Sequence, residues 1–164
     1  MNSNLKQARE FCFQYLFHLQ LPIFESLKSE LQNSATSELL ENSIAEFKQT
    51  TNNLFEDGMN QIVLKRIQGI LTNYDNLEEI ISDHLKNWKI SRIAKVDHTT
   101  LLLATYELHF ETDTPAKVIM NEAIEISKKF GSEESPSFIN GVLDKISKEF
   151  IQNKRSVKIG RGLL

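Results

Sequence analysis

The sequence predicts an all-α fold, and three observations predict it. Apolar residues recur at spacings of three and four along nearly the whole chain, the mark of a buried face on a helix of 3.6 residues per turn. No alternation of apolar and polar residues lasts long enough to build a sheet. All three prolines, Pro22, Pro115 and Pro136, stand at junctions between periodic segments, so backbone preference and apolar pattern agree.

The elements follow in order. Helix one is expected over residues 3–20, with Leu5, Ala8, Cys12, Leu16 and Leu19 as its stripe, Tyr15 at the stripe's edge and Pro22 as its stop. A pair of helices fills 24–50, separated by Ser and Thr clusters whose side chains compete for backbone hydrogen bonds. From about 53 to 86, Leu54, Ile62, Leu64, Ile67, Ile70, Leu71, Leu77, Ile80, Ile81 and Leu85 indicate two helices broken near Asn73 to Asn76. The next helix, from near Ser91, carries Ile93, Val96, Leu101, Leu102, Leu103, Ala104 and Leu108; its middle is apolar on nearly all sides, as a central helix must be. Asp113-Thr114-Pro115 then reads as a start signal, with Thr114 as N-cap and Pro115 at the first helical position, where a missing N–H costs nothing. Gly131 is the stop, and Ala116, Ile119, Ala123, Ile126 and Phe130 are the stripe between them, with Glu125 four before Lys129 on the outer face. Ser135-Pro136 repeats the cap and opens a last helix to about Phe150. The expected organisation is one domain over 1–150, with sub-bundles of about 1–88 and 89–150, followed by a basic, flexible tail over 151–164.

Composition excludes several classes. A chain of 164 residues with 40% apolar content can bury a real core. Cys12 is the sole cysteine, so no internal disulfide forms. No charged-then-apolar leader and no apolar run of about 18 residues is present, which predicts a soluble, cytoplasmic protein with no membrane role. The formal net charge of -3 argues against holding nucleic acid by bulk charge, so any such site must be local. The charge is uneven: Lys145, Lys148, Lys154, Arg155, Lys158 and Arg161 face only Glu149 at the C-terminal end, while Glu38, Glu41, Glu46, Glu56 and Asp57 have Lys48. His18, His84, His98 and His109 cluster neither with each other nor with Cys12, so no metal site is expected. No glycine-rich loop follows a strand and no nucleophile elbow occurs. Glu133 and Glu134 beside Ser135 read as favourable charges at a helix N-terminus. The chain is expected to be neither an enzyme nor a cofactor carrier.

Two places do not fit a core. In the last helix Ile139, Val142, Leu143, Ile146 and Phe150 fall in a narrow arc at roughly 100° per residue, and Phe138 lies off it, beside Gly141 and Lys145. In helix one Phe13, Phe17 and Lys6 lie together on the flank away from the stripe, beside Glu10. Either each ring is covered by another part of the chain, or it is presented to a ligand. Rings interleaved with cations suit single-stranded RNA, because a stacked base contributes roughly 1–3 kcal/mol and the cations neutralise phosphates.

The run WKISRIAKVDHTTLLLATYEL, followed by TPAKVIMNEAIEISKKFGSEESPSFINGVLDKISKE, resembles the bacterial NusB family of transcription antitermination factors, and AREFCFQYLFHLQ resembles that family's opening helix. The resemblance covers most of 5–150, weakly between about 22 and 85. It implies an all-α fold of about seven helices in two small bundles packed together, and a non-enzymatic role. It also implies two partners: NusE, a small-subunit ribosomal protein, and the single-stranded boxA element of nascent ribosomal RNA, within a complex that helps RNA polymerase read through terminators. The family's RNA-facing positions correspond to Lys6, Arg9, Phe130, Glu134 and Phe138, joined by Lys145 from the charge beside Phe138; the partner-facing positions correspond to Phe17 and Asp97. Many relatives carry several arginines before ARE where this chain has Leu5, Lys6 and Gln7, which implies fewer phosphate contacts. Two other readings stand beside this one. One is an RNA-targeting domain like that of RsmB-type ribosomal RNA methyltransferases, although the chain is short for a methyltransferase and lacks a glycine-rich cofactor motif; the other is a helical module that binds only protein.

Overall fold

The structure, a computed structural model, describes the backbone of residues 3–33, 37–52 and 55–161, and the side chains of these apart from 37 and 154–161. The expected Ser/Thr break at 34–36 and Leu54 lie outside the described residues. Eight α-helices are described, against about seven expected: α1 Ser3–Leu19, α2 Glu25–Asn33, α3 Ser37–Thr51, α4 Asn60–Thr72, α5 Tyr74–Asp83, α6 Lys95–Phe110, α7 Ala116–Phe130 and α8 Ser135–Arg161. Short 3-10 turns precede α2, α4 and α6, and the described residues contain no strand. The chain divides into two compact units, Met1–Asp75 and Asn76–Leu164. The division falls at the start of α5, earlier than residue 88. Polar contacts tie this segment to the second unit: Glu78 of α5 lies 2.9 Å from His98 Nε2 of α6, and His84 just beyond α5 lies 2.7 Å from Glu149 of α8.

In the first unit α1 packs against α4, with Ala8, Phe11, Cys12, Leu16 and Leu19 buried on one side and Val63, Ile67, Ile70 and Leu71 on the other. Rings fill the space beside them. Phe11 meets Phe55 edge-on at 4.9 Å and Phe47 at 5.5 Å, and Tyr15 meets Phe47 at 5.4 Å, within the range where edge-to-face geometry is favourable. The buried Tyr15 hydroxyl pairs with Ser43 Oγ at 2.8 Å, and burial pushes its pKa up to about 12. Of the two alternatives for the flank of Phe13, the structure shows the covered one: Phe13 is only 2% exposed, α1 buries both sides, and the ring stacks on Phe17 at 6.2 Å.

The second unit is built around α6, whose residues from Asp97 to Leu108 are all buried. α7 and α8 pack on it and on each other through Ile119, Ala123 and Ile126 and through Ile139, Val142, Leu143 and Ile146. The buried hydroxyls of Thr99 and Thr100 donate to the carbonyls of Lys95 and Val96 one turn back, so the helix satisfies them internally.

Several expected caps differ in detail. α6 begins at Lys95, because Ile90–Arg92 forms a separate 3-10 turn. Pro115, not Thr114, occupies the cap of α7: its ψ is 137° and its carbonyl accepts from the N–H groups of Val118 and Ile119, while no side chain caps the helix. Ser135 starts α8 itself, and its hydroxyl reaches back to accept from the Ser132 N–H at 3.0 Å. α8 continues past Phe150 to Arg161, so the backbone of 151–161 is helical.

Candidate functional site

The junction between α7 and α8 is held by short polar side chains. Ser127 Oγ donates to the Ile124 carbonyl at 2.7 Å, the Gly131 N–H donates to the Ser127 carbonyl at 2.9 Å, and Ser132 N–H and Oγ both reach Ser135 Oγ. Gly131 is required by proximity rather than by backbone angle. Its φ is -95°, which any residue adopts, but an added Cβ would lie 2.5 Å from Ser135 Oγ and 2.7 Å from the Ser127 carbonyl oxygen. This close turn sets the first turn of α8 beside the segment that leads into α6.

A groove of about 350 Å³ results, lined by Trp88, Arg92, Asp97, Glu134, Ser135 and Phe138 among others. The size lies in the range of small-molecule sites. Trp88 is 60% exposed, Phe138 is half-buried, and Arg92 and Glu134 are exposed. Asp97, in the first turn of α6, is only 8% exposed, and its Oδ1 has no hydrogen-bond partner among the described residues. Burial pushes its carboxyl above the usual carboxylate range, and the Ser135 hydroxyl partly opposes this by bonding to the charged form.

Glu134, Phe138 and Asp97 therefore share one groove, although Asp97 is expected to face a protein partner and the other two RNA. Phe130 and Lys145 do not line it. Phe130 ends α7 half-buried, with Lys129 Nζ 5.2 Å above its ring, and Lys145 is exposed on α8. In the first unit, Phe17 is half-buried in an open depression of about 590 Å³ bordered by Gln14, His18, Leu21 and Phe47. His18 rests on Phe24 at 3.8 Å, and desolvation lowers its pKa against a weaker upward pull from Glu46. Lys6 is exposed, whereas Arg9 is buried, at 5% exposure. Of the two cations expected to meet RNA on α1, only Lys6 meets solvent.

Trp88 and Arg92 are absent from the residues that sequence reasoning singled out. Their signal is the one that isolates Phe138, a ring in a polar junction next to cations: Trp88 is flanked by Lys86, Lys89 and Arg92. The described residues contain no group of three or more metal-ligating side chains, and none of their helices is long and apolar enough to cross a membrane.

An all-helical chain that presents rings, cations and an unpaired carboxylate oxygen in a surface groove defines a class, a helical binding factor. The NusB family profile matches residues 6–148, and the chain belongs to the NusB family. It is 37% identical over 148 residues to the transcription antitermination protein NusB of Bacillus subtilis (strain 168), an alignment covering 90% of this chain and 98% of that protein. Among solved structures, T. maritima NusB superposes with a TM-score of 0.73 at 34% identity, covering 91% of this chain and 94% of that one. A structure of the antitermination factors NusB and NusE in complex with double-stranded RNA has the same fold, with a TM-score of 0.69 at 23% identity, covering 91% of this chain and 99% of that one.

Proposed function

We propose that this protein is an RNA-binding transcription antitermination factor of the cytoplasm. It pairs with NusE and binds a boxA-like single strand in nascent ribosomal RNA, so that RNA polymerase reads through terminators. Family membership supports the reading, as does the association of a solved NusB of the same fold with NusE and RNA. The observation that carries it is the groove in which Glu134, Phe138 and Asp97 meet. On this reading Phe138 and Glu134 face RNA, as do Lys6, Arg9, Phe130 and Lys145, while Phe17 and Asp97 face NusE.

The energetics favour a shared task. Two stacked bases at roughly 1–3 kcal/mol each, offset by the cost of ordering a flexible strand, leave modest affinity for the protein alone. A labelled 12-base boxA-like strand, titrated by anisotropy with and without NusE, tests this. We expect weak binding by the protein alone and tightening of several-fold or more with NusE; equal affinity in the two titrations contradicts the proposal.

A further inference from the structure

The first unit holds a cleft of about 260 Å³ between the end of α1, the turn before α2 and one face of α3. Its walls are rings: His18 lies 3.8 Å from Phe24 and 4.9 Å from Phe47, centre to centre, and Leu27 adds an apolar side. Thr50 and Thr51 spend their hydroxyl protons on the carbonyls of Glu46 and Phe47, one turn back, at 2.9 and 2.7 Å, and Ser43 is engaged by the Tyr15 hydroxyl. What stays open on Thr50, Thr51 and the exposed Glu46 is lone pairs. No described lysine or arginine lines the cleft, and burial lowers the His18 pKa, so that ring is uncharged at pH 7.

The cations that could neutralise Glu46 from within are drawn elsewhere. Lys48, the sole cation of α3, lies 3.3 Å from Asn60 Oδ1, 3.8 Å from Asp57 and 4.1 Å above the Phe55 ring. Lys28, the sole cation of α2, lies 3.2 Å from the Tyr74 hydroxyl and 4.2 Å above its ring. Ring faces beside a carboxylate and hydroxyl lone pairs, with no cation present, fit a positive charge rich in N–H donors, since such a head meets π faces and acceptors at once. An anion would face Glu46, and a neutral apolar group would leave the acceptors unused. A peptide segment suits the cleft less well, because its carbonyls bring acceptors for which Thr50 and Thr51 have no proton left. The volume falls just below the range of drug-sized ligands, which suits a short molecule. We propose that His18, Phe24, Phe47 and Glu46 form a site for a free small organic cation, a guanidinium or primary ammonium on a short apolar stem. Its head lies among the rings beside Glu46 and its stem against Leu27. This site is separate from the groove of the second unit and does not rest on the RNA-binding reading.

The full chain, labelled with nitrogen-15, is titrated at low salt and pH 7 with n-butylguanidinium and n-butylammonium chloride while amide shifts are followed. Sodium butyrate and n-butanol, which share the stem and differ in charge, are the controls, and sodium chloride corrects for ionic strength. The site requires saturable shifts centred on the amides of His18, Leu27, Glu46 and Phe47 with both cations and with neither control. Glu46→Gln should weaken binding by roughly 2- to 5-fold, the range for one exposed ion pair. Phe24→Leu should weaken it by roughly 2- to 30-fold, the range for one cation–ring contact. Glu46 is exposed, so Glu46→Gln should keep the parent's melting temperature, which separates loss of contact from loss of fold. No saturable shift at these amides with either cation overturns the site. An equal response to n-butanol overturns it by showing an apolar cleft without charge selection, as does unchanged affinity in Glu46→Gln. Tighter binding of N-acetyl-arginine methylamide than of n-butylguanidinium also overturns it, by assigning the cleft to a protein segment. RNA affinity is measured in a separate titration, so the site and the RNA-binding reading fail independently.

Discussion

Asp97 shows at the scale of one residue how a binding group can cost stability. A carboxylate in this position is held above its ordinary pKa, so the folded state binds a proton more tightly than the unfolded chain does. The sign follows: above the folded pKa the ionised group opposes folding, and this cost disappears as pH falls below the unfolded value. Asp97→Asn keeps an oxygen for Ser135 and removes the buried charge. Its melting temperature should therefore exceed that of the parent at pH 7 and converge with it near pH 3, measured by thermal denaturation at both pH values. A lower melting temperature at pH 7 would show that an ionised Asp97 stabilises the fold. The same variant should bind RNA or NusE less well, since a stabilising loss at a functional position is the expected trade. Arg9 is the opposite case. The family resemblance implies that it faces RNA on α1 with Lys6, yet its burial means that part of any effect of its removal will be lost folding, because removing a buried cation leaves the groups around it uncompensated.

At the scale of the element, the turn from α7 to α8 determines where Phe138 and Glu134 stand. Gly131→Ala would drive a Cβ to 2.7 Å from the Ser127 carbonyl, a backbone atom that moves only if the last turn of α7 moves. We expect a loss of roughly 1–3 kcal/mol in denaturant unfolding, typical of overpacking. Gly141→Ala is the control, because an added methyl there meets nothing within 4 Å and replaces a helix-interior glycine. Equal stability of the two variants would dismiss the steric role of Gly131. The helices themselves were legible because their apolar spacing is set by the chain alone. Their starts were less so: whether Thr114 or Pro115 caps α7 depends on a turn whose Thr114 N–H reaches Glu111, and whether Ser91 opens α6 depends on a 3-10 turn that takes up 90–92. The site was partly legible for the same reason. Phe138 lies off its own helix's stripe, which a helical projection reveals, while the burial of Phe13 depends on a second packing partner that no projection of α1 contains. Trp88 stands in a loop, where no period exists to depart from.

For the whole molecule, a net charge of -3 restricts RNA to local cations, and the number of those cations can be read from salt dependence. With about three phosphates neutralised, the slope of log affinity against log salt should be near -2, using about 0.7 per single-strand phosphate. The C-terminal stretch tests how local the site is. Residues 151–164 include Lys154, Arg155, Lys158 and Arg161, and α8 carries the backbone on to Arg161. If these cations contribute, truncation after Phe150 should weaken RNA binding and flatten the slope by about 0.7 for each of those phosphates that they meet. The truncated chain keeps Ile139, Val142, Leu143 and Ile146, the buried face of α8, so its melting temperature should be little changed. Titration of both chains at two or more salt concentrations separates the possibilities. A flattened slope places phosphates on the C-terminal stretch, whereas identical affinity and slope would confine RNA to residues before 151 and discard a role for the basic end.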